Sequence, residues 1–550
     1  MKRELLCKLL PMVAVSTILG FYATVQTRNF TPAFWEEDHG GYVFLAKRIA
    51  AGGPLLVRPD NPFQHHSHPW VENENGEVTA KYAPGYPTLM ALFYLIGGDW
   101  AMLLVNPLAG GLVLIGAYLL FREWMGTLAS VLAVLTLATN DAFLSYTRHA
   151  LPHATNLCFI TWGMFFLWRW LREPGEVPGI AAGLALGYAC TVRHVSVLLA
   201  LCVVVAVVSA LRRGRGTGSY PAQAVLSLGL AYCLFPILLA TYNTALFGNP
   251  WTTGYGLSGE QGAFGLRLLS RNFMLHNRHI CEFILFLAFP IGFIGIVAVG
   301  KWTDRLIRLL WFGSVYVIYG SYYWYTPSPA FYRFYIPLMP LFTGMSYALL
   351  DRLKVGRTAR WAGMVALALV MVLSSLDTIK WSLRGAHRNG MLHRYVIPTR
   401  LVTSALQPDA IVFAGGALYH CVGPLKEFSS YNLNAFLKSH GTDTFPDPGD
   451  DALANDHVST RIRIQQTRAQ RLREFYEVAT EDELQAAKLA LVERGLSDGR
   501  QVAFFLPKDQ AEAERAALGK EFVFAPLGEC EVRRWGRAAT IWALYEVQHE

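Results

Sequence analysis

The sequence predicts a polytopic α-helical membrane protein of about 11 transmembrane helices followed by an external α/β domain. Three observations carry that prediction. The 550 residues are 53% hydrophobic and only 16% charged, where a soluble chain carries about a quarter of its residues charged. The apolar residues fall in blocks of about 20, the length that crosses a hydrocarbon core roughly 30 Å thick. Basic residues cluster in alternate short connections, as topology signals do.

Taken in order, the spans cover 9–26, 100–121, 126–144, 153–171, 177–192, 195–211, 223–246, 280–300, 306–323, 334–350 and 360–379. The first follows Lys2, Arg3 and Lys8 without a small-x-small cleavage site, so it reads as an uncleaved span. Arg193 and His194 divide the nearly fused fifth and sixth spans by a turn, because charge at mid-bilayer is costly. With a cytoplasmic N-terminus, the inside connections hold Arg122, Arg169, Arg172, Arg212, Arg213, Arg215, Lys301, Arg305, Arg308, Arg352, Lys354, Arg357 and Arg360. The short outside connections hold lone residues such as Arg148, Arg193 and Arg333. The net charge of +8 follows this alternation, and no basic stripe interleaved with exposed aromatics marks a nucleic-acid groove.

The membrane domain therefore covers residues 1–380, with a large first external loop at 27–99 and another at 247–279. Within the latter, "FGLRLLSRNFML" is amphipathic and suits the membrane surface. An odd number of spans leaves residues 381–550 outside. There "DAIVFAGG" and "QVAFFLP" read as strands. "TEDELQAAKLALVERG" reads as a helix from the capping box Thr480/Glu483 to Gly495. Between them "SHGTDTFPDPGDDALANDH" has the composition of a loop. The basic run "RIRIQQTRAQRLR" is either a solvated helix face or a contact to an anionic glycan or headgroup. Of eight cysteines, only Cys421 and Cys530 lie in this domain, where an oxidising compartment would permit a bridge.

Most of the unusual polar residues fall on the outside. Glu36, Glu37 and Asp38 suit a helix start, where carboxylates are favoured, and also suit a base that takes a proton from a hydroxyl nucleophile. Lys81, Arg148, Arg193 and Arg333 share that side, and four cations on one face point to an anion site. In "HHSHP", His66 and His68 point to one side of a strand. They read as surface or substrate-contact histidines rather than metal ligands; no metal site or cofactor is assigned, and a divalent cation is left open. Tyr42, Tyr82, His149, Tyr332 and Tyr335 complete the outward polar and aromatic set.

The order of these features resembles a known family. A first span, Glu37-Asp38 with Tyr42 four residues after the Asp, the helix "LAKRIAAGG" and then "KYAPGYP" resemble the GT-C class of membrane glycosyltransferases. More narrowly they are similar to the bacterial relatives of protein O-mannosyltransferases and of the lipid A aminoarabinose transferase, a glycosyltransferase family 39-like pattern. "TVRHVSVLL", "YNTALFGNPWTTGY" and "YRFYIPLMPL" also resemble that family's segments, over residues 1–380. The resemblance implies an inverting hexosyl- or pentosyltransferase of the inner (plasma) membrane, with a polyprenyl-phosphate-sugar donor and a glycan, lipid or protein acceptor. The family's catalytic Asp maps onto Asp38. Its acidic neighbour follows the Asp, whereas here Glu37 precedes it and His39 follows, so Glu37 stays the alternative. The family's phosphate-binding Lys maps onto Lys81, and Arg333 matches a recurring basic position. Tyr42, Tyr82, His66, His68, His149, Tyr332 and Tyr335 are the candidate substrate contacts. A transporter or flippase for lipid-linked saccharides is the competing reading; it would place ionisable residues within spans and show internal repeats, and neither is evident.

Overall fold

Residues 9–25 contain no charged side chain, and they fold as the middle of one helix, Lys2–Arg28. The computed structural model describes residues 2–34, 36–58, 69–73, 75–217, 222–260, 264–322, 332–407, 409–414, 429–432, 481–533 and 539–549. Among these, five helices are long and apolar enough to cross a membrane: Leu9–Arg28, Asp99–Trp124, His194–Arg213, Ala222–Phe247 and Arg357–Ser374. A sixth would be the pair Phe273–Leu285 and Ala288–Ala298, bent by 104°. Shorter apolar helices cover Gly85–Gly97, Thr127–Thr139 and Glu176–Val192.

The expected eleven straight spans are not all present as such, and the breaks have local causes. The run 126–144 divides at Asn140, whose side chain accepts from the Phe143 N–H and caps a second short helix, Asp141–Tyr146. The run 280–300 breaks at Phe286, which sits at a φ of 42°. The run 334–350 begins as a 3-10 turn, Arg333–Leu338, before helix Met339–Asp351. Helix Glu176–Val192 ends at an extended Arg193 and the chain restarts at His194, so the turn expected there is present. Gly85–Gly97 is helical although the sequence assigned it to the first loop.

Small residues let these helices approach closely. A Cβ on Gly183 or Gly187 would lie 2.6 Å from backbone oxygens of Leu228 or Tyr232 on helix Ala222–Phe247. Gly292 and Gly295 give the same access to Phe342 and Met345.

The first loop carries helix Glu37–Ala50, as its sequence led one to expect, and an antiparallel pair, β1 (Trp70–Glu72) and β2 (Val78–Ala80). The end of the first helix is tied to a later one: Arg28 Nη1 and Asn29 Nδ2 donate to the Leu383 and Ser382 carbonyls, both at 2.6 Å.

The C-terminal part is a five-stranded sheet of order β4-β3-β5-β7-β6. It comprises β3 (Ile411–Ala414), β4 (Ser429–Asn432), β5 (Val502–Pro507), β6 (Phe522–Val532) and β7 (Thr540–His549). β3 runs parallel to β4 and β5, while β7 is antiparallel to β5 and β6. Val412, Phe505, Trp542 and Leu544 pack with Val402 of helix Ile397–Ala405 on one face. Ile411, Phe413 and Phe504 pack with Leu491 and Val492 of helix Glu481–Ser497 on the other. The strands in "DAIVFAGG" and "QVAFFLP" and the helix between them are thus where the sequence puts them; the antiparallel pair β6 and β7 is an addition to that reading. Cys421, the 439–457 loop and the basic run 461–473 lie outside the described residues.

Candidate functional site

The site starts at the N-terminus of helix Glu37–Ala50. Glu36 caps it, its own N–H donating to His39 Nδ1 at 3.4 Å, and this puts Asp38 in the first turn. Gly41, one turn on, leaves room for a tyrosine ring: a Cβ there would lie 2.6 Å from Tyr82 Cε2. Tyr82 therefore stacks on Tyr42, ring centroids 4.0 Å apart, and its hydroxyl donates to Asp38 Oδ1 at 2.5 Å.

The other Asp38 oxygen accepts from Arg333 Nη2 at 3.2 Å, while Arg333 Nη1 reaches Glu36 Oε2 at 3.4 Å. One guanidinium thus bridges two carboxylates contributed by residues about 300 positions away in sequence. His149 Nδ1 lies 3.2 Å from the remaining Glu36 oxygen. Next to Arg333, Phe334 faces Arg193, whose guanidinium lies over it and over Tyr319. Arg193 also donates to the Tyr319 hydroxyl at 3.0 Å and meets His153 at 3.1 Å.

Lys81 immediately precedes Tyr82 but faces another way. Its ammonium lies 2.6 Å from Glu260 Oε1, with side chains 1% and 3% exposed, and Tyr322 donates to the other Glu260 oxygen at 3.3 Å. The rings of Tyr255 and Tyr82 stand beside the ammonium at 5.3 and 5.9 Å. Gly254 makes this possible: a Cβ there would fall 2.4 Å from Lys81 Cα and O. Gly254→Ala is accordingly expected to destabilise the fold by about 1–3 kcal/mol, measured as a lowered thermal unfolding midpoint; an unchanged midpoint would show that the two segments can part freely.

The charges are set by these contacts. Burial raises the Tyr82 phenol well above its ordinary range, and the Asp38 charge raises it further, so the hydroxyl stays a donor. Burial alone would lower Arg333, but Asp38 and Glu36 outweigh it and hold the guanidinium charged. Burial pushes Glu36 up, yet the His149 hydrogen bond and the charges of His149, His39 and Arg333 prevail and bring it down to about 2. His39 is lowered by burial from 6.5 to about 4. The folded protein therefore holds His39 neutral where the unfolded chain binds a proton. Its contribution to stability is complete above 6.5 and shrinks as pH falls towards 4. A scan of unfolding midpoint against pH should show that slope, and His39→Gln should flatten it; an identical slope in the variant would assign it to another group.

Asp38, Arg333, Tyr82, Tyr42 and His149 are thus brought together, with Arg193 alongside and Lys81 behind Tyr82. Arg148 is not part of this group: it is buried, and its charged or polar neighbours are Asp141, Tyr22 and His387. Tyr332 and Tyr335 are wholly buried; Tyr332 meets His279 at 2.6 Å, and Tyr335 packs among Tyr316, Tyr319 and His276. Both rings belong to the main apolar core. Glu37 opens the helix, but its side chain lies outside the described residues, as do His66 and His68. Among the described residues no group of three His, Cys, Asp or Glu is placed to hold a metal ion.

Two residues of the site are not singled out by the sequence. Glu36 is one member of the acidic triplet, with nothing local to set it apart. Glu260 is the sole carboxylate between 247 and 279, and that isolation in a basic, aromatic loop was the signal available.

A family model described as dolichyl-phosphate-mannose-protein mannosyltransferase matches residues 81–239, from Lys81 onward. No curated protein sequence matches the chain. Among solved structures, ArnT from Cupriavidus metallidurans bound to undecaprenyl phosphate matches with a TM-score of 0.59 at 13% identity, over 97% of each chain. The chain has a GT-C glycosyltransferase fold. ArnT of the same organism in the apo state matches with a TM-score of 0.54, again at 13% identity and 97% of each chain. The oligosaccharyltransferase AglB from Archaeoglobus fulgidus, in complex with an inhibitory peptide and a dolichol-phosphate, matches with a TM-score of 0.50 at 11% identity. That match covers 93% of this chain and 71% of AglB. The GT-C likeness to ArnT therefore extends past residue 380, where the sequence resemblance stopped, into the C-terminal sheet.

Proposed function

We propose that this GT-C chain is an integral membrane glycosyltransferase that moves a hexosyl or pentosyl group from a polyprenyl-phosphate donor to an acceptor hydroxyl. The observation that carries the reading is Asp38, a carboxylate held between Arg333 and the hydroxyl of Tyr82, the residue that follows Lys81. Tyr82 and Arg333 each use one site on an Asp38 oxygen, and a carboxylate has about four such sites. The carboxylate they orient would take the proton of an incoming hydroxyl. As the acceptor oxygen attacks the anomeric carbon, the bond to the phosphate oxygen breaks on the opposite face and the electron pair leaves with the phosphate. Inversion follows, and no acid is needed for so good a leaving group.

The phosphate would take the place of Glu260 at the Lys81 ammonium, where a cation stabilises the charge as the bond breaks. ArnT carrying undecaprenyl phosphate and AglB carrying dolichol-phosphate support a lipid-phosphate donor. The positive-inside pattern supports a cytoplasmic N-terminus, an outward-facing site and an external domain beyond residue 380 in the plasma membrane. Acceptors of glycan, lipid or protein type fit equally.

The test is transfer by the purified chain in lipid nanodiscs, supplied with a panel of polyprenyl-phosphate sugars, alongside mass spectrometry of the glycans missing from a deletion strain. Consumption of one donor is expected. A chain that neither binds nor consumes any polyprenyl-phosphate sugar, with an intact envelope glycan profile in the deletion strain, would end the proposal.

A further inference from the structure

The basic connection containing Arg352, Lys354, Arg357 and Arg360 counted in the sequence only as a topology signal. In the structure it borders a cavity of about 390 Å3 lined by Gly126, Leu128, Asp351, Arg357, Arg360 and Trp361. Helix Val105–Trp124 connects this cavity with the carboxylate site. At its first turn, Asn106 donates to the Leu151 and His149 carbonyls, and the His149 ring meets Glu36. At its last, the Trp124 carbonyl accepts from Arg352. The 18 steps from Asn106 to Trp124 span roughly 27 Å at helical rise, close to the thickness of a hydrocarbon core. The cavity therefore lies at the level of the opposite membrane surface.

Its chemistry suits an anion. Helices Thr127–Thr139 and Arg357–Ser374 both begin at it, after Gly126 and Gly356, and neither glycine supplies a capping side chain. Helix starts carry partial positive charge. The Arg357 guanidinium lies over the Trp361 ring, 4.3 Å from its centroid. Arg360 Nη1 donates to the Asp351 carbonyl, but its buried Nε has no partner. Among the described residues one carboxylate lines the cavity, Asp351, engaged with the Gly126 N–H at 2.8 Å. Of the lining residues, Leu128 and Trp361 are exposed large hydrophobics, and Leu353, Val355 and Val365, near them in sequence, are exposed as well.

A phosphate beside an alkyl chain answers both features. We propose that this cavity seats the headgroup of an anionic phospholipid in the leaflet opposite the carboxylate site, its phosphate between Arg357 and Arg360 and an acyl chain along Leu128 and Trp361. Arg357 offers a planar fork to the phosphate oxygens, and the Arg360 Nε–H gains the partner it lacks. The site stands apart from the sugar-transfer reading and does not depend on it.

The experiment is native mass spectrometry of the full chain in detergent, titrated with dioleoylphosphatidylglycerol, dioleoylphosphatidylcholine or inorganic phosphate. One phosphatidylglycerol should be retained in preference to phosphatidylcholine, and inorganic phosphate should not displace it. Arg357→Gln/Arg360→Gln should weaken that retention by about tenfold or more, as expected for lost charge-assisted bonds. Arg357 is exposed and, among the described residues, its side chain makes no hydrogen bond to backbone, so Arg357→Gln alone tests the site if the double variant misfolds, with severalfold weakening expected. Asp351→Asn keeps an acceptor for the Gly126 N–H while removing the opposing charge, and should tighten retention. Equal retention of the two lipids, displacement by inorganic phosphate, or unchanged retention in the arginine variants would overturn the assignment.

Discussion

Asp38→Asn is expected to slow sugar transfer by roughly a hundredfold to ten-thousandfold, the range associated with loss of a general base. Asparagine has nearly the same shape, and its amide oxygen can still accept from the Tyr82 hydroxyl. Arg333 keeps Glu36 as a partner, so the fold should change little. The loss should fall on kcat, with donor affinity nearly unchanged, because Asp38 would act on the acceptor's proton and not on the phosphate. Glu36→Gln is the informative control. Glu36 shares Arg333 and sits closer to His149, and its carboxyl is already held at about 2, which makes it a poor proton acceptor near neutrality. A near-normal rate in Glu36→Gln and a collapsed rate in Asp38→Asn is the expected pair of results. Full activity in Asp38→Asn would remove it as the base, and a collapse confined to Glu37→Gln would hand the role to its neighbour.

The second large effect concerns Lys81, and here one substitution would mix two effects. Loss of a charge-assisted bond to a donor phosphate is worth about 1.5–3 kcal/mol, roughly ten- to a hundredfold in affinity. Lys81→Ala would also strand Glu260, which is 3% exposed, without its counter-charge. Breaking one side of a buried pair costs about 3–5 kcal/mol. The single variant is therefore expected to be both unstable and weak in donor binding. Lys81→Met/Glu260→Gln removes both charges together and should recover much of the unfolding midpoint without recovering donor affinity, measured by titration with a polyprenyl phosphate in nanodiscs. If the double variant binds the lipid as tightly as the native chain, Lys81 is not the phosphate ligand.

What could be read in the sequence followed from local chemistry. The acidic triplet announced the start of helix Glu37–Ala50, the strands at 411–414 and 502–507 were bounded by turn residues, and Arg193 forced a break between apolar runs. Asp38 and Arg333 were both named from their motifs, and the structure joins them. The span lengths were less legible because hydropathy does not register Asn140 capping a new helix or Phe286 turning one by 104°. Nor does a motif state a partner. Nothing local in "SGEQG" says that Glu260 reaches Lys81 across 179 residues, and Arg148 looks from its sequence like Arg193 until Asp141 and Tyr22 are seen around it. Long-range pairing is decided by how the helices pack, and that information is spread over the whole chain.

Lys81 and Tyr82 are consecutive, directly after β2, and their side chains leave the backbone in different directions, one to Glu260 and the other to Asp38. A single peptide unit, about 3.8 Å between Cα atoms, thus joins the residue that bonds the carboxylate to the residue that carries the ammonium. Any shift of that short segment would act on both contacts at once, so the two ends of the site answer to one stretch of backbone.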